Sequence, residues 1–106
     1  MIKEVKTING IDYVTDYRTL NQAQEERINV MRDLCGQAIR SAGIDEITQQ
    51  NASLGIYSND RCEAIKSYIS ACRNEYLRCK ALILSAQTND EADAVQFLAP
   101  PVPEGL

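Results

Sequence analysis

The chain is predicted to be mainly α: a long antiparallel helical hairpin with a short N-terminal β-hairpin, assembled as an oligomer. Three observations lead there. First, Cys62, Ile65, Ile69, Cys72, Tyr76, Cys79 and Ile83 recur at alternating spacings of three and four, the heptad seam of a packed helix. Second, Ile28, Met31, Cys35, Ala38 and Ala42 repeat the habit in an earlier stretch. Third, a lone pair of such helices within 106 residues leaves much of its apolar stripe uncovered, and self-association is the natural remedy. Cys and Ala are small and Tyr carries a hydroxyl, so the seam suits close, partly polar packing.

Residues 2–14 read as a hairpin of strands, because Val5-Lys6-Thr7-Ile8 and Ile11-Asp12-Tyr13-Val14 flank Asn9-Gly10, the dipeptide best suited to a type I′ turn. A two-stranded ribbon is marginal alone and is expected to lie on the helices or on a neighbouring subunit. Asp16 or Thr19 caps a first helix from about Leu20 to Ala42, with Gly43 as the residue that ends it. Residues 44–59 form a connection anchored by Ile44, Ile47, Leu54 and Ile56. Asn59 or Asp60 caps the second helix, whose run to about Ala86 spans roughly 40 Å. The two helices make a hairpin over residues 17–86. Thr88-Asn89-Asp90-Glu91 starts a short helix over residues 89–98, and Ala99-Pro100-Pro101-Val102-Pro103 stops regular structure. Residues 1–99 are thus one domain and 100–106 a flexible tail.

Composition narrows the function. With no Trp, one Phe and five Tyr, the core is aliphatic and a large enclosed active site is not expected. The net charge of -4 argues against binding long nucleic acid. It is unevenly spread: Arg61, Lys66, Arg73, Arg78 and Lys80 make the second helix locally basic, which still permits a small anionic ligand. The opening Met1-Ile2-Lys3-Glu4 lacks the apolar core of a signal peptide and no run reaches membrane-spanning length, so a cytoplasmic protein without a membrane partner is expected. The four cysteines lie on helical stripes without Cys-x-x-Cys pairing and read as buried reduced thiols. With no His, a Cys/His zinc site or a His-dependent nucleophile is excluded, and the scattered acids converge on no bond. The chain is therefore read as a non-enzyme with no metal and no cofactor.

Two polar features remain. Lys66, Arg73 and Lys80 repeat every seven residues beside the seam, as the solvated flank of a coiled coil does. Tyr17-Arg18-Thr19-Leu20 opens the first helix, with Arg32 further along it; a Tyr ring can stack on a base and an Arg can clamp a phosphate.

The run Tyr17-Arg18-Thr19-Leu20, then Glu25, Ile28-Asn29, Arg32 and Gly36, resembles the first helix of small phage proteins that sponge up the cyclic oligonucleotide signals of CBASS immunity. Asn59-Asp60-Arg61 and Arg78-Cys79-Lys80-Ala81 fit the second helix of the same hairpin, which is shared by phage sponges against Thoeris immunity and its cyclic ADP-ribose derivatives. The resemblance covers residues 17 to about 83, with Arg32 standing where it suggests Lys. It implies a homo-oligomer, a hexamer built as a trimer of dimers, in the cytoplasm of an infected bacterial host. It further implies that Tyr17 stacks on a base and Arg32 engages phosphate of a cyclic dinucleotide, with Arg18 and Asn29 beside them. Arg61, Arg78 and Lys80 are the candidates for cyclic trinucleotide pockets where three subunits meet. Two other classes compete: a structural or assembly oligomer of a virion, and an acidic inhibitor that mimics phosphate charge.

Overall fold

In a computed structural model, which describes residues 3–104 and 106, the chain is mainly helical with a small antiparallel sheet. The order is β1 (Lys3–Ile8), β2 (Ile11–Asp16), α1 (Leu20–Ser41), α2 (Glu46–Ser53), α3 (Asn59–Ser85) and α4 (Asn89–Ala94). The molecule is elongated, 64 × 26 × 20 Å.

β1 and β2 pair antiparallel in the register Lys3↔Asp16 to Ile8↔Ile11. Asn9 and Gly10 both take positive φ, 53° and 77°, the combination a type I′ turn requires and these two residues tolerate best. Among the described residues no helix backbone closely approaches the ribbon, and Val5, Ile8 and Ile11 are all exposed. Its base is tied down at Asp16, described below.

α1 begins with a capping box: the Thr19 hydroxyl accepts from the Gln22 N–H while the Gln22 side chain accepts from the Thr19 N–H. It ends in a Schellman turn, with Gly43 at φ 84° donating to Arg40 and Ile44 donating to Ile39. Ile44 is then driven into the core. The stretch expected to be a connection anchored by Ile44, Ile47, Leu54 and Ile56, of which Ile44 is buried and the other three are exposed, holds α2, a two-turn helix capped by the Asp45 carboxylate on the Thr48 N–H and closed by a second such turn at Gly55. Its signals are these local ones, because it buries only Ala52. Ser58, one residue ahead of the expected Asn59 or Asp60, caps α3 by accepting from the Arg61 N–H.

α1 and α3 pack directly on each other, the start of α1 against the end of α3. Ile28, Met31, Cys79, Ile83, Ala86 and Ala92 form one core cluster at that end. Cys35, Ile44, Ala52, Cys62, Ile65, Tyr68 and Cys72 form a second around α2, and Tyr76 and Phe97 touch both. Of the α3 seam, Cys62, Ile65, Cys72, Cys79 and Ile83 are buried and Ile69 and Tyr76 are half-buried. All four cysteines are free and buried, and burial pushes the Cys35, Cys72 and Cys79 thiols up.

α4 stops at Ala94, short of the expected residue 98. The reason is long-range. Arg27 of α1 donates twice to the Val95 carbonyl (3.0 and 2.6 Å), Arg78 donates to that of Gln96 (3.1 Å), and the Glu75 carboxylate accepts from the Leu98 N–H (2.7 Å). Side chains from both long helices thus satisfy residues 95–98 as an extended strap. Beyond it, the Pro100 carbonyl accepts from the Tyr68 hydroxyl at 3.2 Å and Leu106 lies against the second cluster.

Candidate functional site

The sequence-singled residues fall into three zones. At the base of the ribbon, Tyr17 is 59% exposed and its hydroxyl donates to Glu4 Oε2 at 3.0 Å. Arg18, its neighbour, is the opposite case, with a side chain only 3% exposed. Its guanidinium donates to Asp16 (Nη2 to Oδ2, 2.7 Å; Nε to Oδ1, 3.0 Å) and to Asp93 (2.6 and 3.3 Å), and Glu26 lies at 3.4 Å. The Asn89 side chain donates to the Arg18 carbonyl at 2.9 Å. Hydrogen bonds from Arg18 hold the Asp16 carboxyl far below the usual carboxylate range, and Asp16 and then Asp93 raise the guanidinium in turn. A planar fork with every face matched to a carboxylate has no donor left for a ligand. Arg18 is therefore the bolt that joins the ribbon, α1 and α4.

The second zone is the exposed face of α1. Asn29 and Arg32, one turn apart, touch through Arg32 Nη1 to Asn29 Oδ1 at 3.3 Å. Among the described residues Arg32 makes no salt bridge, so its charge faces solvent. Leu20 to Arg32 spans about 18 Å of helix, and Tyr17 and Arg32 of one chain do not converge.

The third zone runs along α3. Arg78 meets Glu75 in a bidentate pair (both contacts 2.6 Å), and that guanidinium, with the Leu98 N–H, draws the Glu75 carboxyl down to about 2. Lys80 is half-buried two residues on. Arg61 sits at the other end of the helix, exposed, its guanidinium 3.9 Å from the centre of the Tyr57 ring. Arg61 is thus not brought together with Arg78 and Lys80 within one chain.

Two grooves flank the strap. One, of about 480 Å³, is lined by Arg78, Leu82, Glu91, Val95 and Leu98. The other, of about 380 Å³, is lined by Leu34, Gln37, Tyr68, Phe97 and Val102. Neither includes Tyr17 or Arg32. Among the described residues no group of three or more His, Cys, Asp or Glu is placed to hold a metal ion, and no helix is long and apolar enough to cross a membrane. Sequence reasoning did not single out Arg27 or Asp93, whose partners lie 68 and 75 residues away. The Glu75/Arg78 pair, three residues apart on a helix, was readable in principle.

No protein-family model, curated protein or solved structure matches the chain.

Proposed function

We propose that this chain is a phage immune-evasion protein: an oligomer of long helical hairpins that binds a cyclic oligonucleotide or cyclic ADP-ribose-type messenger in the host cytoplasm and keeps it intact. The observation that carries the reading is the contrast among the cations. Arg18 is saturated by carboxylates and Arg78 is held in a bidentate pair with Glu75, whereas Arg32, with Asn29 beside it, and Tyr17 are presented to solvent. An exposed aromatic face and an uncommitted guanidinium are the two groups a nucleotide ligand needs. Being apart within one chain, they meet one ligand only across a subunit boundary, which couples affinity to assembly. Holding a ligand without hydrolysis needs no catalytic base.

A capture assay tests this. The protein is incubated with a panel of cyclic di- and trinucleotides and cyclic ADP-ribose isomers, filtered, then denatured, and both fractions are chromatographed. Depletion of one ligand from the filtrate and its intact release on denaturation is the expected result. No depletion across the panel, or release of a cleaved product, overturns the reading.

The second reading, an assembly oligomer of a virion, draws on Leu77 and Leu84, which are 56% exposed on the outer face of α3. Such a face serves packing against other subunits without any ligand. Indifference to every nucleotide together with co-purification with tail or capsid proteins favours it.

A further inference from the structure

We infer that the free edge of β1 is a subunit interface, where β1 of one chain pairs antiparallel with β1 of a second copy about a two-fold axis at Val5. The inference rests on the self-association proposed above and not on any ligand. Three observations carry it. Among the described residues the ribbon has two strands and lies on none of the helices, while a two-stranded sheet is marginal in water and becomes stable with three or more strands. Its apolar residues Val5, Ile8 and Ile11 are 60%, 55% and 57% exposed. An open edge of this kind is a template for another strand.

Charge identifies the occupant. Pairing about Val5 sets Val5 against Val5, Glu4 against Lys6 of the copy, and Lys6 against its Glu4. Glu4 and Lys6 already sit on one face of β1, 3.8 Å apart, so the two copies form an alternating quartet of charges. Opposite charges directly across an antiparallel pair stabilise it and like charges destabilise it. Registers centred one residue to either side place Glu4 opposite Glu4 or Lys6 opposite Lys6, so the sequence selects one register. The β2 edge offers no such match, since it carries Asp12 and Asp16 and no base. Within the ribbon, Glu4 and Lys6 face the uncharged positions Thr15 and Tyr13, so their charges are not used to hold β1 to β2. The Tyr17 hydroxyl reaches the same Glu4 carboxylate, which places the proposed stacking ring beside this interface.

Charge-swap sedimentation tests the pairing on the full chain without nucleotide. Lys6→Glu gives an edge with Glu at both positions, and Glu4→Lys gives one with Lys at both. Each variant alone is expected to self-associate roughly tenfold more weakly than the parent. An equimolar mixture of the two is expected to regain the parental mass as a mixed species, because Lys then faces Glu at both places. The double variant Glu4→Lys/Lys6→Glu, which restores the palindrome, is expected to associate like the parent. Unchanged helical circular dichroism in every variant confines the effect to the edge. A monomeric parent, a Lys6→Glu variant of parental mass, or a mixture that stays dissociated overturns the inference. Loss of nucleotide binding has no bearing on these masses.

Discussion

Ile83→Ala is the sharpest probe of how the two long helices are held together. Ile83 is fully buried, packed with Ile28, Met31 and Cys79 in the cluster where the start of α1 meets the end of α3. The substitution removes three carbons, worth about 2.4 kcal/mol at roughly 0.8 kcal/mol per buried methylene. The neighbours are locked on two helices and collapse only partly, so the cavity adds to that, giving about 3 kcal/mol. Leu84, the next residue, is 56% exposed, and Leu84→Ala is expected to stay within about 0.5 kcal/mol. Urea unfolding followed by far-ultraviolet circular dichroism reads both, at matched protein concentration, because the proposed assembly would contribute to stability. With a slope of about 1–3 kcal/mol per molar, the Ile83 variant loses at least about 1 M in midpoint at unchanged slope. Equal losses for the two variants, or less than about 1 kcal/mol for Ile83→Ala, would refute the assignment of this seam as the core.

Three further outcomes follow from individual contacts. The Glu75 carboxyl is lowered from 4.5 to about 2 in the folded chain, chiefly by Arg78 with help from the Leu98 N–H, so its contribution is complete above its unfolded value. That contribution is lost as pH falls from 4.5 toward 2; Glu75→Gln removes it at neutral pH and is expected to speed hydrogen exchange at the Leu98 amide, without which the strap is not held as described. Gly43 has φ 84° and open space where a Cβ would lie, so Gly43→Ala isolates backbone strain and should cost about 1 kcal/mol in urea unfolding, a neutral result contradicting the turn. The four thiols are buried, and a chromogenic disulfide reagent is expected to titrate them only after denaturation, with oligomer mass unchanged by reductant; rapid labelling of the native chain contradicts that packing.

The long helices were readable because their apolar residues keep a seven-residue repeat over about four turns in α1 and about six in α3, and the ribbon because Asn9-Gly10 admits little but a tight turn. α2 escaped notice because two turns that bury a single alanine generate no periodicity; Asp45, Thr48 and Gly55 mark its ends but not what lies between. The early stop of α4 depends on Arg27, Glu75 and Arg78, residues on other elements, and no local pattern announces that a backbone will be better satisfied by side chains than by another helical turn. The same limit applies to the site. Beside an exposed Tyr, Arg18 reads as a ligand group, and only its approach to Asp93 from the far end of the chain reveals a bolt. Arg32 lies exposed on α1, and the role proposed for it calls for no partner within the chain.

Isothermal titration of the chain and of its Tyr17→Ala and Arg32→Glu variants, against cyclic di- and trinucleotides and cyclic ADP-ribose isomers, tests the central proposal most directly. The account predicts tight binding of one ligand class by the parent and its loss in both variants, with oligomer mass retained. Silence across the whole panel, or normal binding by both variants, contradicts it.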